Sequence, residues 1–449
     1  MKPLAIASTL AALVATTLGA QTEATPEAAA EVLTLERAID IALDSNRELK
    51  AADARVGAAE AGVGEARAAR LPHAELAGIY QTTNNPVYVF SNLLGQSNFR
   101  AENFALDALN EPDSLSNWKS QLTLSQPLWT GGRIKYGLQA ANRGHDAELS
   151  AREATRQQVV HRVIESYTGA VLARRELEVA REALETVRAH VKLTRDLEEG
   201  GLVCESDRLQ AEVRESEVRE LVIRAESGVE ISAAALNLAM GRDLALPVSL
   251  PDAIELETAP EPDLAELVAQ AGGNRPDLRS AKERGKAAQS MLSLARADRW
   301  PKVGLNAGYE ANAEDFFGTD GDNYSVMVGL RFNLFDGFAT RARVERAREQ
   351  AREADEMQEL LAQSIALEVR RSFYELRAAA QRLEQARRSV ELAARSHDII
   401  QDRYREGLTI LPELLDGETA LTRARLREVA ARRDVLVARA TLDLATGNL

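Results

Sequence analysis

The sequence predicts a mainly α-helical protein that carries a membrane β-barrel and is built from two similar halves in tandem. Three observations support this prediction. Ala-Arg-Ala-Ala-Arg-Leu-Pro at Ala66–Pro72 returns as Ala-Arg-Ala-Asp-Arg-Trp-Pro at Ala295–Pro301. Very long helical patterns contain no proline, and four short segments alternate apolar with polar residues as strands do. The repeat is far longer than a solenoid unit of roughly 20–50 residues, so each copy must contain several elements.

The first residues have the pattern of a secretory signal. Lys2 is the positive end, Leu4–Leu18 is apolar, and small residues follow. We expect a signal peptide at 1–20, with cleavage after Ala20 or Ala24. The alternative is a membrane anchor, but the apolar run is shorter than the roughly 20 residues that a spanning helix needs. Export is therefore the favoured interpretation.

Composition excludes several classes of protein. Lys and Arg number 55 against 69 Asp and Glu, which gives a net charge of −14 and argues against a nucleic-acid surface. Cys204 is the single cysteine, so no intrachain disulfide can form. Aromatic residues make up 4%, a low share for a globular enzyme, so long helices fit the composition better.

The two halves are expected at 33–241 and 263–447, and each reads helix, strand, strand, long helix, turn, helix. Equivalent residues lie 229 apart before the first hairpin and 206 apart after it, so the first hairpin holds 23 additional residues. Strands are predicted near 73–82, 119–129, 302–311 and 324–335.

The helix after each hairpin is unusually long. No proline occurs between Ile134 and Glu199, and apolar residues recur there at spacings of three and four, as in a coiled coil. At about 1.5 Å per residue such a helix is on the order of 100 Å long. Gly200-Gly201 ends it in the first half and Gly407 in the second.

Strands with one apolar and one polar face fit either a soluble sheet packed on helices or an outer-membrane barrel. Four strands cannot close such a barrel, and an open edge in lipid would leave backbone groups unpaired. A barrel must therefore be shared by several copies. Aromatic residues lie near the predicted strand ends, as in the aromatic girdle of a membrane barrel; they are Trp118, Trp129, Trp300 and Phe335.

Several motifs occur in order over almost the whole chain from Leu33 to Gly447. They begin with Leu-Thr-Leu-Glu-Arg-Ala-Ile-Asp-Ile-Ala-Leu at Leu33–Leu43. The others are Asn-Arg-Pro-Asp-Leu at Asn274–Leu278, Gln-Pro-Leu-Trp-Thr-Gly-Gly at Gln126–Gly132, Asn-Leu-Phe-Asp-Gly-Phe at Asn333–Phe338 and Arg-Tyr-Arg-Glu-Gly-Leu-Thr at Arg403–Thr409. Each motif alone is loose, whereas their order and duplication together are specific. In this order they resemble the motifs of the TolC-type outer-membrane efflux proteins.

The resemblance implies a homotrimer in the outer membrane of a Gram-negative bacterium. Four strands per protomer would complete a 12-stranded barrel, and the helices would form a tunnel across the periplasm. The expected function is a passive exit duct for efflux or type I secretion, which docks to a periplasmic adaptor and an inner-membrane pump of RND or ABC type. The alternative is a secreted periplasmic coiled-coil scaffold without channel activity.

The helix-hairpin tips are the first candidate site. In the family such tips contact the adaptor, and here they comprise Gly200, Gly201, Leu202, Val203, Gly407, Leu408 and Thr409. Glycine permits a tight reversal and the leucines offer apolar contacts. The alternative is that glycine only ends the helix.

Acidic residues beside the tips are the second candidate site. The family pattern directs Glu413 and Asp416 into the periplasmic aperture, where three copies would form rings that select cations. Asp207 is the acidic residue of the first half, whereas Gln210 occupies the position equivalent to Asp416. The family usually has aspartate where Glu413 stands. The alternative role is compensation of the helix dipole, since acids are favoured in a first helical turn.

No motif supports catalysis or a bound cofactor. The five histidines lie far apart in sequence, and no His-Glu-x-x-His, Cys-x-x-Cys or phosphate-loop pattern occurs. We therefore expect a protein that is not an enzyme, binds no cofactor or metal, and has outer-membrane lipid and partner proteins as its contacts.

Overall fold

The structure is a computed structural model and describes residues 32–252, 254 and 263–449. The predicted signal peptide at 1–20, with its two cleavage positions, lies outside the described residues. Within those ranges, no helix combines the length and the apolar character needed to cross a membrane.

Each half contains four long or medium helices and one hairpin of strands. The first half comprises α1 (Leu35–Ser45), α2 (Arg47–Ala68), β1 (His73–Thr83), α3 (Pro86–Gly95), a 3₁₀ turn (Ala101–Phe104), α4 (Leu106–Asn110), β2 (Leu115–Trp129), α5 (Arg133–Glu199) and α6 (Glu205–Met240). The second comprises α7 (Leu264–Asn274), α8 (Pro276–Ala297), β3 (Lys302–Ala313), β4 (Gly321–Arg331), α9 (Ala339–Arg405) and α10 (Leu411–Thr446).

Equivalent helices of the two halves have equal lengths. The two longest, α5 and α9, have 67 residues each, and α6 and α10 have 36 each. The shorter pairs match as well, with 22 residues in α2 and α8 and 11 in α1 and α7. The repeat seen in the sequence is therefore a repeat of whole elements.

The four strands form one antiparallel sheet in the order β1-β2-β3-β4. Its register places Leu76 beside Leu122, Leu122 beside Tyr309 and Tyr309 beside Tyr324. Since side chains alternate across a strand, these residues share one face. The outer strands β1 and β4 each leave an edge unpaired within the chain.

The fourth strand is shorter than predicted. It ends at Arg331 and not at 335, so Phe335 lies in the segment between the strand and α9. Arg331 pairs with Lys302, the first residue of β3, and Pro301 precedes that residue. Proline has no N–H to donate to a ladder. The alternation of Phe332 and Leu334 therefore continues past the point where β3 offers a partner.

The insertion in the first hairpin contains helices and is not an irregular loop. Residues 84–114 contain α3, the 3₁₀ turn and α4, whereas the second hairpin is joined by residues 314–320 alone. Asn85 caps α3 by accepting a hydrogen bond from the Val87 N–H at 3.1 Å, and Pro86 occupies the first helical position, where its missing N–H costs nothing.

The core lies between the helices in separate clusters. One joins α1, α5 and α6 around the fully buried Leu236 and Met240, and the Tyr167 hydroxyl donates to the Leu33 carbonyl at 2.9 Å beside it. Its counterpart in the second half joins α7, α9 and α10 around Val369 and Leu442. Burying a side chain of this size stabilises the fold by about 1.5–3 kcal/mol.

Candidate functional site

The sheet separates apolar from polar side chains. Its apolar face carries, besides the residues already named, Leu124, Ala307, Val326, Val328 and Leu330. The opposite face carries Gln121, Thr123, Asn306, Glu310 and Ser325. Val326 is 67% exposed, so nothing within the chain covers it. Such a sheet can meet lipid with one face and water with the other.

The polar face holds its own ionic contacts. Lys119 Nζ lies 2.9 Å from Glu310 Oε1, and both side chains are half-buried. Asn312 donates to the same Glu310 oxygen at 3.0 Å. Lys119 and Glu310 are thus paired with each other on this face, as expected on a surface that lines a lumen.

The aromatic residues predicted as a girdle lie at both ends of the sheet. Trp118 lies at the end away from the long helices, in a cluster on the apolar face with Tyr80, Phe316 and Phe317. At the helix end, Trp129 and Phe335 are exposed. A girdle remains a prediction for all of them.

Trp300, the other girdle candidate at the helix end, has a different setting. It lines a cavity of about 690 Å³ together with Lys302 and Arg331, which pair across β3 and β4 on the polar face. Three further basic residues border this cavity: Arg133, Arg343 and Arg346. The Asp298 carboxylate forms ion pairs with Arg133 at 2.9 Å and with Lys302 at 3.1 Å. The end of the sheet next to the long helices is therefore basic, although the chain as a whole has a negative net charge.

Both hairpin tips have the same backbone geometry. Gly201 and Gly407 adopt φ values of +71° and +69°, a left-handed conformation that glycine reaches without a steric penalty. The N–H of Leu202 donates to the Leu197 carbonyl at 2.9 Å, and that of Leu408 to the Arg403 carbonyl at 2.8 Å. These bonds form a Schellman motif, which ends the helix in each half.

The tips also expose apolar side chains. Leu202 is 75% exposed and Leu408 is 63% exposed, and the nearby Ile410 is exposed too. Val203 and Thr409 are half-buried. Helix termination explains the glycines but not the exposed leucines, so the structure leaves a surface at each tip for which the chain itself has no partner.

The three acidic candidates differ in their surroundings. Asp207 is half-buried and accepts a hydrogen bond from the Cys204 N–H at 3.4 Å, which caps the start of α6. Glu413 and Asp416 are exposed on the same side of α10, and Glu413 also bonds to the Thr409 hydroxyl. Asp207 therefore serves as a helix cap, whereas Asp416 is available to solvent.

A buried polar layer crosses the long helices near the tips, and the sequence did not reveal it. It contains His190 of α5, Arg214 of α6, His397 and Tyr404 of α9, and Glu418 of α10. His190 and Glu418 are 4% and 2% exposed, and their nearest side-chain atoms lie 3.7 Å apart. Polar atoms of all five side chains are buried without a hydrogen-bond partner.

Burial determines the protonation of this layer. It raises the pKa of Glu418 from 4.5 to about 7, although nearby Arg214 acts in the opposite direction. Burial, with smaller contributions from nearby His397 and Arg405, lowers the pKa of His190 from 6.5 to about 4. The pair is therefore a neutral acid beside a neutral imidazole near pH 6, and not an ion pair.

The family comparison covers most of the chain. The family described as outer membrane efflux protein matches residues 38–242 and 267–448, which are the two halves seen in the fold. The break between the two matches, residues 243–266, covers most of the stretch that separates α6 from α7.

Two curated relatives match over long stretches. Protein CyaE of Bordetella pertussis is 27% identical over 421 residues, which cover 93% of this chain and 84% of the relative. The alkaline protease secretion protein AprF of Pseudomonas aeruginosa is 24% identical over 352 residues, which cover 76% of this chain and 71% of the relative.

The fold is shared with solved structures. The CmeC outer membrane channel of Campylobacter jejuni superposes with a TM-score of 0.80 at 18% identity, over 92% of this chain and 85% of that chain. The predicted fold class is confirmed, and both family and fold are those of outer-membrane channels and not of enzymes. With the family matched in both halves, this chain belongs to the outer membrane efflux proteins.

Proposed function

We propose that this protein is the passive exit duct of a tripartite export system, in which three copies share one 12-stranded barrel. One observation carries the proposal: a sheet with an apolar and a polar face, open at both edges, continues directly into helices of 67 residues. Copies that pair β4 of one with β1 of the next would remove every open edge. The helices would extend about 100 Å into the periplasm.

Fractionation tests this proposal. The full-length protein should sediment with outer membranes, require detergent for extraction and run as a trimer in detergent. Recovery as a monomer in the soluble periplasmic fraction would overturn it and favour the coiled-coil scaffold, which the comparisons do not support.

Efflux and type I secretion share this architecture. The name of AprF associates that relative with protease secretion, whereas the family name refers to efflux. We propose that an inner-membrane pump, of RND or ABC type, selects the cargo and that a periplasmic adaptor connects the pump to the tips.

We expect the double variant Leu202→Glu and Leu408→Glu to lose adaptor binding. Each leucine buried in a complex contributes about 1.5–3 kcal/mol, or roughly tenfold to a hundredfold in affinity, and a buried carboxylate would add a penalty. In vivo cross-linking between the tips and the adaptor, read with export of the pump's cargo, measures the loss. Leu209→Glu, on the exposed side of α6 above the tip, is the matched control. Unchanged cross-linking in the double variant would exclude docking at the tips.

Replacing both Glu413 and Asp416 with the amides is expected to reduce cation selectivity of the single channel. The change removes two carboxylates per copy, and so six from a ring of three copies, while it keeps side-chain size. Reversal potentials in a salt gradient across a planar bilayer measure the selectivity. Asp207→Asn serves as the comparison, because its carboxylate caps α6. A reversal potential equal to that of the wild type would place the selective ring elsewhere.

A further inference from the structure

The helix α3 lies across the end of the sheet that is remote from the long helices. It follows β1 directly and contacts β2, β3 and β4. Its C-terminal Gly95 lies against Gly321, the first residue of β4, where an added Cβ would be 2.3 Å from the Gly95 carbonyl oxygen. The helix therefore spans the whole width of the sheet, and its position depends on this close approach.

Hydrogen bonds attach α3 to the polar face and not to the apolar one. Gln96 Nε2 donates to Asn117 Oδ1 at 2.9 Å, and Asn117 Nδ2 donates to Asn312 Oδ1 at 2.9 Å. Asn117 shares its side of β2 with Lys119 and Gln121, and Asn312 continues to Glu310. Gln96, Asn117 and Asn312 are each only 2% exposed. A buried network of this kind fixes α3 on the polar side of the sheet.

The other side of α3 is apolar and has no partner within the chain. Val87 and Leu94, seven residues apart and so on one helix face, are 72% and 53% exposed, and Tyr88 beside them is 52% exposed. Val89 and Asn92 form the opposite, buried side. Because α3 lies on the polar face, this apolar surface points into the space that the polar face encloses.

The size of that space decides what meets the apolar surface. Twelve strands spaced about 4.8 Å apart and tilted by about 40° give a barrel roughly 24 Å across, measured between backbones. One α-helix with its side chains is about 10 Å across. Three helices attached to the inner wall would therefore fill most of the cross-section, and their free faces would meet near the axis.

We infer that the apolar face of α3, formed by Val87, Tyr88 and Leu94, packs against the α3 helices of two other copies of this chain and constricts the outer mouth of the barrel. The inference rests on the trimeric duct proposed above. The partner is a copy of the same chain, because the three surfaces lie inside one lumen and are continuous with the strand pairing that forms the barrel.

Cross-linking in the full-length chain tests the contact itself. The single cysteine is first removed by Cys204→Ser, and Leu94→Cys is then introduced. Mild oxidation of intact cells should yield a disulfide-linked dimer of the chain. Leu122→Cys, on the apolar face of the internal strand β2, should yield none. Absence of the dimer with Leu94→Cys would overturn the inference, and this readout does not require a conducting channel.

Access from outside the cell tests the constriction. In the Cys204→Ser background, Thr123→Cys on the polar face should resist a bulky, membrane-impermeant maleimide. It should become fully labelled when residues 84–114 are replaced by the segment 314–320 of the other hairpin. Equal labelling with and without the insertion would refute the constriction. In the chain that lacks the insertion, labelling of Leu122→Cys to the same extent as Thr123→Cys would instead refute the barrel, and with it the proposed function. Phe317→Cys, 82% exposed, controls for access to the cell surface.

Discussion

Val326→Arg is expected to remove most of the folded oligomer from the outer membrane. Val326 lies at the middle of β4, between Gly321 and Arg331, and its side chain shares the apolar face with Ala307. An arginine facing lipid near the bilayer midplane costs about 2–4 kcal/mol, which amounts to about 6–12 kcal/mol for three copies. Heat-modifiable mobility of the oligomer from purified outer membranes, with guanidinium unfolding in detergent, measures the loss.

The neighbouring residue supplies the control for this experiment. Ser325→Arg adds the same side chain to the same strand, but on the polar face beside Gly308. It should leave assembly close to that of the wild type. If both variants assembled equally well, the assignment of the apolar face to lipid would be wrong.

Glu418→Gln is expected to stabilise the protein by about 3 kcal/mol at pH 8 and to change nothing near pH 4. The pKa of Glu418 rises from 4.5 in the unfolded chain to about 7 in the folded one. The folded state therefore binds more protons between these values, and wild-type stability falls as the pH rises from 4.5 to 7. The amide cannot ionise, so the variant should not show this loss.

His190 acts in the opposite direction. Its pKa falls from 6.5 to about 4 on folding, so stability decreases as the pH is lowered from 6.5 to 4. In the wild type the two slopes oppose one another between pH 4.5 and 6.5. The variant should retain only the rise with pH that His190 causes. Guanidinium unfolding of the detergent-solubilised protein at several pH values separates the two effects.

Glu413→Gln, which removes an exposed carboxylate from the same helix, is the matched control for the loss of one negative charge. A fall in stability of Glu418→Gln at pH 8 would show that Glu418 is charged in the folded protein and paired with His190 or Arg214.

The features that followed from the sequence are local or periodic. Gly201 and Gly407 mark the tips because a left-handed turn needs glycine, and that requirement can be read from residue type and spacing. The faces of the strands follow from alternation, since Leu122 and Val326 fall on the apolar side whatever the partners are. The family resemblance predicts the order of the elements, and the family model matches both halves of the chain.

The features that did not follow depend on residues distant in sequence. The five histidines lie far apart in sequence and form no motif, yet His190 approaches Glu418 across more than two hundred residues. Nothing in the local pattern marks Asn117 as the partner of Asn312, since both are ordinary polar strand residues until α3 covers them. Alternation predicts that β4 continues to Leu334, whereas its pairing with β3 stops at Arg331.

The equal lengths of the paired helices also fix the distance that the duct can span across the periplasm. Because α5 and α9 each have 67 residues, the two tips of one protomer end at the same depth. Removing seven residues from α5 and its return segment in α6 would raise one tip by about 10 Å and leave the other in place. An adaptor that must touch six tips at once would then reach only three. Any change in the span of the duct must therefore be made twice within one gene, by the same amount in each half.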